Sequence, residues 1–213
     1  MCIRDSTNTG TIDSESAQGT AAGIRFVNGV SFSGTIDNSG TISGVQNGLY
    51  FGNAVTAGGG DFTGGVVNNS GTISSDSRAL NIDGTGLVVN NSGTILATGT
   101  QRNGTVYADS TAQDFTLNNL ADGVIDAGAG LEGAAFSVEL SEAGNNFDIN
   151  NDGLIQGRGQ AGAGVTAAGD GLRFERTRVD GALDASTVGL FTCLLYTSPS
   201  PRDLSTSRMP SSA

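Results

Sequence analysis

The closest pair of glutamates in this chain of 213 residues is Glu139 and Glu142. Two carboxylates can hydrolyse a glycosidic bond, one as general acid and the other as base or nucleophile. Glu139, however, stands between Val138 and Leu140 in a segment of strand-like alternation, so we expect its side chain to face solvent. The chain also has no histidine, which removes the usual Ser-His-Asp and Cys-His nucleophiles. The sequence therefore predicts no catalytic residue and favours a protein that is not an enzyme.

Basic side chains cluster once, at Arg173, Arg176 and Arg178, with Glu175 among them. Guanidinium groups match carboxylates, so this cluster could bind an acidic sugar. A solvated outer face is the interpretation that we favour. The net charge of −11 predicts a surface that repels nucleic acid and anionic membrane.

The segment Gly58-Gly59-Gly60-Asp61 resembles the calcium-binding nonapeptide repeat. That motif works in tandem, because neighbouring turns share each ion, and this chain has a single imperfect copy. A loop is the simpler interpretation. We therefore expect neither a metal nor another cofactor.

A pentapeptide repeat organises the chain. Asn-Ser-Gly-Thr-Ile stands at 38–42, 69–73 and 91–95, and looser copies stand at 8–12, 121–125 and 151–155. The closing isoleucines are 30, 31, 22, 30 and 30 residues apart. A period of this size predicts one structural unit that stacks on copies of itself.

Each position of the repeat has a predicted place. The glycine reads as a turn residue that needs a positive φ. In the strand that follows, the threonine should face outward and the isoleucine inward, since side chains alternate. A strand before the turn should place one apolar residue inward, six positions ahead of the isoleucine. These residues are Ile36, Val67, Val89 and Ile149, with Leu117 if its variant turn carries one extra residue.

A third strand follows in each repeat, as in Gly48-Leu49-Tyr50-Phe51. Its outward positions vary in chemistry from one repeat to the next: Arg25, Tyr50, Asn81, Tyr107, Ser137 and Arg173. Three short strands and three turns per repeat predict an all-β, right-handed parallel β-helix (solenoid) of roughly 5–7 coils.

Stacking of the coils should place like residues over like. The asparagines of the repeat would form a column whose amides bond to the coils above and below. We interpret this column as a structural staple, and a ladder that binds a polar ligand is the alternative. Its predicted members are Asn8, Asn38, Asn69, Asn91 and Asn151.

The two ends of the chain differ from the repeat region, 7–192. Residues 1–6 and 193–213 hold both cysteines, both methionines and all three prolines, and they contain no glycine. Both segments resemble translated sequencing-adapter tails, so we interpret them as non-native. A native Pro/Ser-rich linker is the alternative for the second. The chain shows no signal peptide and no run of 18 apolar residues, so this segment is not expected to insert into a membrane.

The Asn-Ser-Gly-Thr-Ile units, followed by strands such as Gly23-Ile24-Arg25-Phe26, resemble the passenger region of bacterial autotransporters, the type V secretion proteins of Gram-negative bacteria. The resemblance covers about residues 7–180. It implies export, a C-terminal outer-membrane barrel in the full-length protein, and display at the cell surface or release. The expected function is a non-enzymatic stalk or adhesin-like segment whose partner is a host or surface carbohydrate or protein. The alternative is a β-helical polysaccharide lyase or hydrolase.

Overall fold

The computed structural model describes residues 5–16, 21–27, 30–52, 60–98, 104–109, 112–128, 134–140, 147–157 and 172–176. Within these ranges the chain forms strands, turns and bends. Nowhere in them is there a helix long and apolar enough to span a membrane.

Three parallel sheets of six strands each build the molecule, and every sheet takes one strand from each successive repeat. Sheet 1 contains Asp5–Asn8, Thr35–Asn38, Val66–Asn69, Val88–Asn91, Phe115–Asn119 and Phe147–Asn151. Sheet 2 contains Thr11–Ile12, Thr41–Gly44, Thr72–Ser75, Thr94–Ala97, Val124–Asp126 and Leu154–Gln156. Sheet 3 contains Ala22–Phe26, Asn47–Phe51, Arg78–Ile82, Val106–Ala108, Phe136–Leu140 and Leu172–Arg176.

This topology confirms the predicted parallel β-solenoid with three strands per coil. The strands of each sheet lie in chain order, so six coils, numbered here from the N-terminal side, stack along one axis. A right-handed path remains a prediction that rests on the general preference of parallel connections.

The core is a set of apolar rows that run along the axis. Ile42, Ile73 and Ile95 pair in register and are fully buried, as is Ile125. Ile12 and Ile155, in the first and last coils, are only partly buried. The threonines beside the central isoleucines are half-buried, so the predicted inward and outward assignment is confirmed.

Sheet 1 supplies the second apolar row, in which Leu117 pairs with Val89 and Ile149. Leu117 stands eight positions before Ile125, whereas Val89 stands six before Ile95, so its turn carries two extra residues. The predicted single extra residue was wrong. The insertion lies in the turn around Leu120–Asp122, and the strands on both sides of it keep their register.

The repeat glycines were predicted to need positive φ, and this was wrong. Among the described glycines, positive φ values occur at Gly64, Gly86 and Gly128, outside the pentapeptide. The glycine of the repeat is required by lack of room. A methyl group on Gly40 would overlap the carbonyl oxygen of Gly10, and one on Gly71 would overlap that of Gly40. The following threonine amide donates to this same oxygen, from Thr41 to Gly10 at 2.8 Å, so the two turns cannot move apart.

The first strand of sheet 1 begins at Asp5, inside the segment predicted to be a tail. Asp5 and Ser6 pair in register with Thr35 and Ile36, so the solenoid uses both residues. Residues 193–213 lie outside the described part of the chain, and the origin of both segments stays a prediction.

Candidate functional site

Two ladders of side-chain amides run side by side along the corner where sheet 1 turns into sheet 2. In the inner ladder, the Nδ2 of each asparagine donates to the Oδ1 of the next one towards the C-terminus. The links are Asn8 to Asn38 at 2.8 Å, Asn38 to Asn69 at 2.7 Å, and Asn69 to Asn91, Asn91 to Asn119 and Asn119 to Asn151 at 2.8 Å each. This confirms the predicted column and adds Asn119, which the two-residue insertion had hidden.

The inner amides are used within the protein. Asn38 Nδ2 also donates to the Thr72 carbonyl at 3.2 Å, and Asn69 Nδ2 to that of Thr94 at 3.3 Å. Asn91 is fully buried and Asn38 nearly so. The inner asparagines therefore join neighbouring coils, as the structural interpretation requires, and those from Asn38 to Asn119 are buried.

The outer ladder was not predicted from the sequence. It consists of residues that directly precede the inner asparagines, from Asp37 onward. The Nδ2 of each asparagine in this outer ladder donates to the side chain of the preceding coil. The links are Asn68 to Asp37, Asn90 to Asn68, Asn118 to Asn90 and Asn150 to Asn118, at 2.8 Å each. The signal that could have revealed it is the Asn-Asn doublet of four successive repeats.

The two ladders have opposite directions. Inner amides donate towards the C-terminal coil and outer amides towards the N-terminal coil. Asp37 sets the outer direction, because a carboxylate can only accept, so Asn68 must present its NH₂ group. Each outer amide still has one N–H and one oxygen lone pair for other partners.

A polar groove lies beside the outer ladder. Its volume is about 200 Å³, and its lining is Thr7, Asp37, Asn38, Ser39, Asn68, Asn69, Ser70, Asn90, Ser92 and Leu120. This lining combines outer-ladder residues, two inner asparagines and the serines that follow the inner asparagines. Ser70 Oγ donates to the Asn38 carbonyl at 3.3 Å, so its lone pairs remain free to accept. The groove thus offers donors and acceptors at the spacing of the coils, ~4.8 Å.

Leu120 marks the end of this groove. It is 44% exposed and belongs to the turn that the two-residue insertion enlarges. The groove therefore runs along the first four coils and stops at an apolar residue in the fifth.

A second groove, of about 240 Å³, lies near the turn from sheet 2 to sheet 3 and contains Asp13, Glu15 and Asp76. Two of these carboxylates accept hydrogen bonds from hydroxyl groups of the following coil. Ser43 Oγ donates to Asp13, and Thr98 Oγ1 donates to Asp76 at 2.8 Å. In the part of the chain that the structure describes, no group of three or more His, Cys, Asp or Glu residues could hold a metal ion.

The variable side chains predicted on sheet 3 stack in register, in the order Arg25, Tyr50, Asn81 and Tyr107. Tyr50 is 6% exposed, Asn81 7% and Tyr107 6%, so these three side chains are buried although they lie outside the apolar core cluster. The guanidinium of Arg78 lies 4.2 Å from the ring centre of Tyr107, and that of Arg25 lies 5.4 Å from Tyr50. Burial, with a smaller contribution from Asp83, raises the pKa of Tyr50 above its ordinary value.

The structure describes only the backbone for part of the predicted glutamate pair and arginine cluster. Glu139 belongs to a strand of sheet 3 and pairs in register with Glu175. Arg173 and Arg176 belong to the last strand of the same sheet, while Glu142 and Arg178 lie outside the described residues. Catalysis by the glutamates and sugar binding by the arginines remain hypotheses.

Asp61 caps a turn. Gly60–Asp61 forms a short strand beside Gly84–Thr85, where a loop was predicted, and Gly58 and Gly59 lie outside the described residues. The Asp61 carboxylate accepts the Thr63 amide at 3.0 Å, and hydrogen bonds from Thr63 hold the pKa of Asp61 below its usual value.

Comparison with known proteins gives no relative from which a function of the two ladders and their groove could be inferred. No protein-family model, curated protein or solved structure matches the chain.

Proposed function

We propose that this chain is a non-enzymatic stalk or adhesin-like passenger segment of an autotransporter, displayed at the cell surface or secreted, which holds a neutral polysaccharide in the groove beside its outer ladder. The observation that carries the proposal is the coil-by-coil stacking of polar side chains along one corner of the solenoid. The Asn-Ser-Gly-Thr-Ile units, which resemble autotransporter passengers, support the cellular context.

The stalk function follows from how the coils are joined. Parallel strands, inner amides and turn carbonyls all link each coil to the next, as in Thr72 N to Gly40 O at 2.9 Å. A fold whose contacts are almost all between neighbouring coils is an extended support that can carry a binding surface along its length.

The chemistry of the groove favours a neutral polysaccharide. The groove presents amide N–H groups, amide oxygens and serine hydroxyls, which can bond to sugar hydroxyls. Its one ionisable side chain is Asp37, and the chain has a net charge of −11, so an acidic polymer would be repelled. Leu120, exposed at one end, can cover the apolar face of a sugar ring.

Binding can be measured by calorimetry, with a neutral glucan and a neutral mannan as probes and polygalacturonate as the acidic comparison. We expect weak binding of a neutral polymer, lost in Asn90→Ala, because this change removes one outer amide and the bond to Asn68. Thr72→Ala, on sheet 2, is the matched control and should bind like the wild type.

Two results would overturn this proposal. The first is equal binding by wild type and Asn90→Ala, which would exclude the groove. The second is the appearance of new reducing ends or unsaturated uronate on incubation with any of the polymers, lost in Glu139→Gln or Arg173→Ala. That result would favour the lyase or hydrolase.

A further inference from the structure

The outer ladder holds the side-chain amides of its central asparagines in one orientation. Asn68 Nδ2 donates to Asp37 Oδ1, and Asn90 Nδ2 donates to Asn68 Oδ1, both at 2.8 Å. Because the Asp37 carboxylate can only accept, the nitrogen of Asn68 faces the preceding coil and its oxygen faces the following coil. Asn90 accepts from Asn118 and therefore has the same orientation. These two amides lie in the third and fourth coils, so neighbouring coils fix them on both sides.

The hydrogen-bonding groups that the ladder leaves unused point the same way. Both ladder bonds of Asn90 run along the axis of the solenoid, and they use one N–H and one lone pair of Oδ1. A primary amide is planar, so its second N–H and the second lone pair of its oxygen both point away from Cβ, nearly parallel to each other. Asn68 is exposed and Asn90 is half-buried, and both line the polar groove. Each amide thus presents a donor and an acceptor side by side to a ligand in the groove.

A ligand that bonds to both groups needs an acceptor and a donor on neighbouring atoms, facing the same way. Two hydroxyl groups on adjacent carbons of a sugar ring meet this requirement, since one accepts from Nδ2 and the other donates to Oδ1. A trans peptide group does not meet it, because its N–H and C=O point in opposite directions. The outer amides therefore fit a sugar better than an extended polypeptide.

We infer that Asn68 and Asn90 select polysaccharides by linkage, and that the groove takes those in which each sugar keeps two free hydroxyls on adjacent carbons. The inference rests on the proposed binding of a neutral polysaccharide and adds the part of the sugar that is recognised. In a β-1,4-linked glucan the hydroxyls on C2 and C3 are both free. In a β-1,3-linked glucan the linkage occupies C3, so no two free hydroxyls are adjacent. A site that bonds to a hydroxyl rejects an analogue without it, because the polar groups of the site then lose a partner.

Calorimetry with linear glucose oligomers of equal length tests the inference, because the β-1,4- and β-1,3-linked forms have the same composition and no charge. The wild type should bind the β-1,4-linked oligomer at least about tenfold more tightly, the effect of one or two hydrogen bonds. A β-1,4-linked oligomer that is methylated on its hydroxyls keeps the linkage and loses the donors. It should bind as weakly as the β-1,3-linked oligomer, which separates recognition of the hydroxyls from recognition of the shape of the chain.

Two variants with the same substitution locate the preference. Asn90→Leu replaces an outer amide with an apolar group of similar size and should remove most of the preference for the β-1,4-linked oligomer. Asn81→Leu, on sheet 3, is the matched control and should keep it, and thermal melts establish that both variants are folded.

The outcomes distinguish this inference from the proposed function. Equal binding of the β-1,4- and β-1,3-linked oligomers by the wild type, lost in Asn90→Leu, would overturn the selection by linkage and leave the groove as the binding site. A preference that persists in Asn90→Leu or for the methylated oligomer would also overturn it. No binding of any oligomer would overturn both the selection and the proposed function.

Discussion

The corner between sheets 1 and 2 and the outer face of sheet 3 differ in how their side chains are satisfied. At the corner every inner asparagine is bonded to its neighbours, and the turn glycines touch through their backbones. On the outer face of sheet 3, Tyr50, Asn81 and Tyr107 stack in register in successive coils. The buried Oδ1 of Asn81 has no hydrogen-bond partner. The coils are thus held in register at one corner, which leaves the third face free to vary.

The largest expected effect tests the core that both regions share. Ile73→Asp should unfold the neighbouring coils, because it buries a charge with no partner. Ile73→Ala should lower the free energy of unfolding by ~2–5 kcal/mol, since Ile73 is fully buried. Thr72→Ala should cost less than half as much. Chemical denaturation measures all three, and equal losses at Thr72 and Ile73 would contradict the described facing.

The second prediction concerns room at the corner. Gly71→Ala should cost about 3 kcal/mol, because the methyl group overlaps the backbone of Gly40, which cannot move without separating the coils. Gly10→Ala should leave the free energy of unfolding within about 0.5 kcal/mol of the wild type, because a methyl group there would meet nothing within 4 Å. Thermal and chemical melts compare the two variants. If both are equally stable, crowding is not the reason for the glycine.

The third prediction separates the two ladders. Asn91→Ala should cost ~1–3 kcal/mol, because it removes the buried oxygen that accepts from Asn69 and the buried NH₂ group that donates to Asn119. Asn90→Ala removes bonds of similar length at a more exposed position, where water can replace them, so it should cost well below 1 kcal/mol. Urea denaturation of the two variants gives the comparison. A larger loss at Asn90 would mean that the outer ladder is the staple.

The smallest change in the free energy of unfolding is expected on sheet 3, where a substitution could stabilise the protein. Asn81→Leu replaces a buried amide whose oxygen has no partner with an apolar group of similar size. The variant should be as stable as the wild type or slightly more stable, within about 1 kcal/mol. Asn91→Leu, the same change in the inner ladder, should be clearly destabilising. A loss of equal size at both positions would show that Asn81 has a partner in solution.

The repeat was sufficient to predict the sheets, the register and the inward rows, because stacking forces like residues over like. The isoleucine spacing alone identified Ile42, Ile73, Ile95 and Ile125 as core residues. The sequence could not show why the repeat needs glycine. A turn with positive φ and a turn without room for a Cβ atom both require this residue. The outer ladder was missed because the first asparagine of each Asn-Asn doublet, such as Asn68 and Asn90, was given no place in the repeat.

The candidate site was less predictable than the fold. The groove depends on which turn is enlarged, and the variant Asn-Asn-Leu-Ala-Asp-Gly did not reveal that its two additional residues would expose Leu120. Burial of Tyr50 and Tyr107 depends on contacts with other coils, such as the guanidinium of Arg78 over Tyr107. Alternation along one strand contains no information about these contacts.

The opposite directions of the two ladders have an electrostatic consequence. A row of amides that all point one way adds its dipoles, as the peptide groups of an α-helix do, and accumulates partial charge at its ends. In the third to sixth coils the inner and outer rows lie side by side and point in opposite directions, so their axial dipoles oppose each other there. Each further coil that carries an Asn-Asn doublet adds two opposed side-chain dipoles, so such coils add little partial charge at the ends of the solenoid.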